Sequence, residues 1–328
     1  MCLYTKLIRN PKYKENKKNN GNIPELKDER VLLVPIKCGN CIECHKQKAR
    51  EWKIRLSEEI KRNKNGIFIT LTFSNKSIKD LVSEIKLKNK KIKGYDLDNS
   101  IATLSTRRFL ERWRKETKKS VKHWLITEIG HKGTENIHLH GIIFTDKPNL
   151  IKKHWKYGYI WDGQETSGTK KINYVSEKTI NYITKYITKK DLKNKHYKPI
   201  ILCSPGIGKG YETSNNAQNS KYKKNETKEY YRTRQGNKLQ LPVYYRNKIY
   251  TEEERELLWI EKLNKELRYV NGEKAKNFDH YLQLLEYHRK VNLEKGYGTA
   301  DKNYKEKEEA EKQRNLTIYT RIKKTNTP

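Results

Sequence analysis

Apolar positions along this chain gather into a few short runs, separated by long polar stretches rich in lysine and asparagine. Residues 1 to 35 show no sustained period, with "YKENKKNNGN" at their centre. From about His45 to Lys61, the residues Trp52, Leu56, Glu59 and Ile60 recur near helical spacing. "GIFITLTF" (Gly66 to Phe73) is β-branched and aromatic and predicts a buried strand. A polar, lysine-rich stretch runs on to about Ser100. Thr103 to Glu116 then forms an amphipathic helix with Phe109, Leu110 and Trp113 on one face. "HWLITEIG" (His123 to Gly130) and "IHLHGIIF" (Ile137 to Phe144) predict an antiparallel hairpin turned by "GHKGTEN". "YGYIW" and "KINYV" are two shorter strand candidates, and Ser176 to Lys190 is a helix. After about Pro199 the pattern weakens into a long polar loop beginning "SPGIGKGYETSNN", and the C-terminal residues read as helices.

This order of elements predicts an α+β fold: an antiparallel sheet with packed helices, of the split βαβ kind, followed by a helical C-terminal region. The expected organisation is a cysteine-bearing segment with its helix over 1–62, packed on a core over 63–200, then the polar loop and helices of 201–328. Net charge sharpens the functional picture. The 73 basic and 39 acidic residues leave +34, and nucleic acid phosphate is the usual partner of such a chain. Abundant Lys, Asn, Ile and Tyr also follow from AT-rich coding, so charge alone does not decide. No run approaches the ~20 apolar residues a membrane span needs. "VLLVPI" near the start is six residues with a proline. No secretory signal is visible, so a reducing cytoplasm is expected.

The candidate chemistry sits in the hairpin and the helix that follows. His138 and His140 are two apart on a strand, so their imidazoles share a face and can converge on one ion. Two separately hydrogen-bonded histidines are the plainer alternative. Glu128, in the preceding strand, can reach that face across the hairpin. A carboxylate there is costly to bury unless it is paired or ligating. In the helix, Ile180, Ile183 and Ile187 form the packing side, and Tyr182 and Tyr186 stand one turn apart on another side. Lys178, Lys185 and Lys189 flank them. Phenols are poor nucleophiles at neutral pH unless neighbouring cations and a polarised phosphate assist. With 22 tyrosines in the chain, ordinary surface residues are the alternative. Arg107, Arg108, Arg112 and Arg114 offer basic surface to a DNA strand, or a solvated helix face.

The combination resembles the HUH endonucleases, specifically the rolling-circle replication initiators of microviruses, and most closely their gokushovirus branch. The blocks that carry the resemblance run in the family's order over most of residues 1 to 250. They are "MCLYTKLIRNP", "VPIKCGNCIECHKQKAREW", "TEIGHKGTENIHLHGIIF", "YITKYITKK", "SPGIGKGY" and "LPVYYRNKIY". The resemblance implies an HUH core in which His138, His140 and Glu128 bind Mg²⁺ or Mn²⁺. It implies that Tyr182 or Tyr186 attacks a phosphodiester of the phage origin to leave a 3′-OH and a 5′-phosphotyrosine, with Lys185 neutralising charge on the phosphate. Lys178 and Lys189 would contact DNA. Host helicase and polymerase would be partners, in the host bacterial cytoplasm. An HUH transposase or relaxase shares the chemistry but not the flanking blocks. A non-enzymatic zinc-containing nucleic-acid-binding protein is the alternative from another class.

Cys38, Cys41 and Cys44 form C-x2-C-x2-C, with Cys2 available as a fourth thiolate. Structural zinc, unligated or redox-active thiols, and an iron–sulfur site are the readings this spacing leaves open. Cys203 is unrelated to them. "SPGIGKGY" lacks the spacing and the Ser or Thr of a nucleotide-binding loop.

Overall fold

The computed structural model describes residues 2–131, 135–163, 174–300 and 304–324. The chain forms two compact units, one from residues 1–54 and 209–302, the other from 55–208 and 303–328. The second is the expected α+β fold, built on a five-stranded antiparallel sheet.

The strands are β1 (Gly66–Leu71), β2 (Lys122–Ile129), β3 (Ile137–Phe144), β4 (Ile160–Trp161) and β5 (Ile201–Cys203). Their spatial order is β4-β1-β3-β2-β5, so the histidine-bearing β3 is central. Register sets the neighbours. Thr70 lies opposite His140 on one side of β3, and Glu128 lies opposite His138 on the other. β5 is too short and too close to a proline to stand out in the sequence. Of "KINYV", residues 171–173 lie outside the described residues, and Tyr174 makes an isolated antiparallel bridge to Ile67.

Strand alternation divides the sheet into two faces. Ile67, Ile69, Leu71, Leu125, Ile137, Leu139 and Ile143 point one way and join the main hydrophobic cluster. Two helices close that face, α1 (Asn75–Lys88) and α2 (Gly94–Thr117). The lysine-rich stretch before Ser100 is therefore not featureless. Ile78, Leu81, Val82 and Ile85 fall at i, i+3, i+4 and i+7 and are buried, while lysines occupy the outer side. Ser74 caps α1 by accepting from the Ser77 amide. The helix expected from Thr103 already starts at Gly94, and it buries Leu97 and Ile101 besides Phe109 and Trp113. The C-terminal helix Tyr304–Lys324 also belongs to this unit, with Ile318 in the same cluster. The opposite face of the sheet carries Phe68, Thr70, Trp124, Ile126, His138, His140 and Ile142. Helix α3 (Glu177–Thr188) is amphipathic and buries Ile180, Ile183 and Ile187.

Gly141 shows how tightly the central strands fit. A Cβ there would lie 2.0 Å from the Trp124 carbonyl oxygen and 2.8 Å from the Leu125 Cα. Both are backbone atoms of β2 and cannot step aside. We expect Gly141→Ala to destabilise the unit by about 3 kcal/mol or more, read as a lower midpoint in urea unfolding.

The other unit is built from hairpins and helices. The first 35 residues, which show no period, supply strand Lys6–Arg9, which pairs with Leu33–Ile36. The helix read from His45 starts at Ile42 and runs to Arg62. Tyr211, Tyr231, Tyr245 and Tyr250 pack with Ile54 and Leu258 in one cluster. Leu3 and Val270 pack with the cysteines in another. Among the described residues, no helix is long and apolar enough to cross a membrane.

Candidate metal and tyrosine site

The histidines and tyrosines meet on the α3 side of the sheet. Ser176 caps α3 through a reciprocal capping box with Thr179, which fixes where the helix starts and hence which side chains face β3. The Tyr186 ring lies flat on the His140 imidazole, with centroids 4.4 Å apart and planes 9° from parallel. Tyr182 stands edge-on to Phe68 of β1. Its hydroxyl is 2.9 Å from that of Tyr186. Burial and this hydrogen bond push the Tyr186 phenol well above its ordinary pKa. Tyr182 is 49% exposed.

Each histidine is oriented by a second group. The His138 Nδ1–H donates to the Asn136 carbonyl at 2.6 Å, which leaves Nε2 with a free lone pair. Burial lowers the His138 pKa, so the ring is neutral at physiological pH. Gly130 makes room for it, since a Cβ there would lie 2.8 Å from the His138 Cε1. His140 has Thr70 Oγ1 at 2.9 Å from Nδ1 and Glu128 Oε2 at 2.9 Å from Nε2. The second oxygen of Glu128 accepts from Lys189 at 2.5 Å. The Lys189 ammonium also lies 5.8 Å from the centre of the Tyr186 ring.

Burial pushes the Glu128 carboxyl up, but the bonds from His140 and Lys189, with their charge, outweigh it and hold the pKa at about 2. The folded value lies below the ordinary value of about 4.3. The stabilisation is therefore complete above that pH and is lost as pH falls toward 2. It amounts to about 3 kcal/mol. We expect acid melting curves between roughly pH 5 and pH 2 to be flatter for Glu128→Gln by that amount.

The donor chemistry suits a divalent ion, with one free imidazole nitrogen, a second imidazole and an ionised carboxylate. The spacing is more open than a closed site. The two imidazole centroids are 6.2 Å apart, and among the described residues only the cysteines bring three or more donor atoms within 4.8 Å of one another. His138 must swing toward His140 to share an ion.

Other predicted residues lie elsewhere. Lys178 and Lys185 are exposed, and it is Lys189 that reaches Glu128. Arg107 pairs with Glu111, Arg108 with Glu84, and Arg112 donates to the His154 carbonyl. Arg114 is exposed. All four belong to α2, behind the sheet from the histidines. Thr70 and Asn136, which orient the two rings, escape sequence reasoning. Thr70 is visible only once the β1–β3 register is known.

The cysteines, by contrast, do assemble. Cys2, Cys38, Cys41 and Cys44 place all four sulfurs within 4.8 Å of one another, close enough to hold a metal such as zinc. Cys38 and Cys44 sulfurs are 3.9 Å apart, and Cys41 and Cys2 sulfurs 4.0 Å. A tetrahedral ion with Zn–S bonds of ~2.3 Å sets sulfurs about 3.8 Å apart. The backbone amides of Asn40 and Cys41 point at the Cys38 sulfur, and that of Cys38 at the Cys2 sulfur. Hydrogen bonding from Cys44 holds the Cys41 thiol down at about 4. Cys203 lies apart in β5.

Residues 66–191 match the model of a family of phage-type replication proteins, described as Replication-associated protein ORF2. That segment opens on the first residue of β1 and closes just beyond α3, so it contains every residue of the histidine–tyrosine site. Over 119 residues the chain is 31% identical to the replication-associated protein VP4 of Bdellovibrio phage phiMH2K, a match that covers 36% of this chain. The chain spans about a third (34%) of the length of that relative. No solved structure matches it.

Proposed function

We propose that this chain is a phage replication-associated protein that nicks and rejoins single-stranded DNA through a 5′-phosphotyrosine, initiating and terminating rolling-circle replication of a small phage genome. The observation that carries the proposal is the stack of Tyr186 on His140, with the Tyr182 hydroxyl within hydrogen-bonding distance. Two candidate nucleophiles thereby stand over an imidazole–carboxylate cluster inside a segment that matches replication-associated proteins.

His138, His140 and Glu128 would hold Mg²⁺ or Mn²⁺, which when bound polarises the scissile phosphodiester. A tyrosine oxygen forms a bond to phosphorus as the bond to the 3′ oxygen breaks. The phenol proton passes to the neighbouring hydroxyl and on to solvent, and the departing oxygen is protonated to a free 3′-OH. The second tyrosine repeats the attack on the regenerated origin, and the first phosphotyrosine is released by the free 3′-OH to close the circle. Lys189, and Lys185 from the outer side of the helix, supply positive charge for the phosphate. Host polymerase and helicase would extend the 3′ end in the bacterial cytoplasm. The cysteine quartet would hold a structural zinc ion.

The test is a denaturing-gel assay with end-labelled single-stranded origin DNA, with and without Mn²⁺. A covalent protein–DNA adduct that needs the metal is expected. Folded protein that binds the DNA and never forms the adduct would overturn the proposal in favour of a non-enzymatic binding protein.

A further inference from the structure

The C-terminal helix Tyr304–Lys324 lies outside the matched segment, yet it reaches the start of the histidine strand. Glu311 accepts from the Tyr95 amide at 2.7 Å, satisfying one of the orphan donors at the start of α2. Arg314 forks onto Asp98 with bonds of 2.7 and 2.9 Å, and the two side chains are 3% and 2% exposed. The same guanidinium donates to the Glu135 carbonyl at 3.1 Å. Farther along the same helix, Arg321 donates to the Glu135 carboxylate at 2.7 Å.

Glu135 needs holding. Its φ is +49°, a conformation that costs a non-glycine residue on the order of 1 kcal/mol and persists only when its surroundings enforce it. The next residue, Asn136, is buried, and its side-chain amide donates to the Phe73 carbonyl and to Asn75. Its own carbonyl receives the His138 Nδ1–H. A continuous series of bonds thus runs from the C-terminal helix to the ring of His138. If docking were the only requirement, apolar packing would serve as well as the buried Arg314–Asp98 pair. A guanidinium adds a fixed donor geometry at the Glu135 carbonyl.

We propose that Arg314 and Arg321 are positioning residues for His138, clamping Glu135 so that the Asn136 carbonyl fixes the imidazole with Nε2 free. The proposal rests on the metal-binding role given to His138 above for its effect on metal affinity, but not for its effect on the ring itself. Arg321 is the residue to change, because Arg314→Ala would strand the Asp98 carboxylate and endanger the fold. In Arg321→Ala the thermal melt should stay cooperative. Mn²⁺ affinity, measured by titration calorimetry, should fall about tenfold, the range seen when groups behind a ligand are removed. The ¹⁵N signals of His138 should show loss of the Nδ1–H tautomer, and Arg321→Lys should restore both. A folded Arg321→Ala protein whose His138 tautomer is unchanged overturns the clamp. A wild-type protein that binds no Mn²⁺ refutes the metal site, while the tautomer comparison still decides the clamp.

Discussion

A Tyr182→Phe, Tyr186→Phe double variant is expected to form no covalent adduct with origin DNA, while each single variant still forms one. The two hydroxyls are 2.9 Å apart, so either can be presented to the same phosphorus with small side-chain movement. Phenylalanine keeps the ring on His140 and the edge contact with Phe68, so the substitutions remove oxygen atoms and little else. Loss of both nucleophiles should lower adduct formation by a factor on the order of 10³ or more. The single variants should differ in a set direction. Tyr182 is half exposed to an incoming strand, whereas Tyr186 is held against His140 and is harder to ionise. Tyr182→Phe should therefore slow the first cleavage more than Tyr186→Phe, measured by quenched-flow sampling on denaturing gels. An adduct that persists in the double variant would place the nucleophile on another residue.

The second large effect concerns the cysteine quartet. Purified protein is expected to carry one zinc per chain by mass spectrometry of the digested metal, and Cys41→Ser none. Cys41 is completely buried, and Leu3, Val270 and Tyr281 pack around the same cluster. A structural zinc contributes on the order of 10 kcal/mol to the fold of a small domain. Without it, four thiols and their directed amides have nothing to bind, and the unit should lose its cooperative melt. Metal-free protein that keeps the same thermal transition would refute the assignment. The sulfur spacing already speaks against a multi-iron cluster, since separations near 4 Å enclose a single ion.

Much of this is legible in the sequence, and the reason differs by element. The hairpin of β2 and β3 shows because long buried strands leave near-continuous apolar runs, and period two then places His138 and His140 on one face. Helix α3 shows because Ile180, Ile183 and Ile187 keep strict spacing. The α1 helix does not show, because its four apolar residues are diluted by lysines on the solvent side. β5 and the first hairpin have strands of three or four residues, below the length at which a period can be seen. Thr70 and Asn136 belong to the site through register and a carbonyl, and neither leaves a mark in residue type. The roles divided between Lys185 and Lys189 turn on which side of the helix faces Glu128, and a rotation of one residue changes it. Arg314 and Arg321 are far from the site in sequence and join it only in space.

The sheet unit is assembled from two separate stretches of chain, and the second contains the helix at 304–324. During synthesis on the ribosome, the sheet and its tyrosine helix emerge long before that helix. Until it clears the exit tunnel, the Asp98 carboxylate has no guanidinium, and Glu135 lacks the two arginines that hold its backbone. Nascent and prematurely terminated chains would thus carry the histidines and tyrosines without the geometry that aligns them. The order of translation itself would keep a half-made DNA-cutting protein from acting.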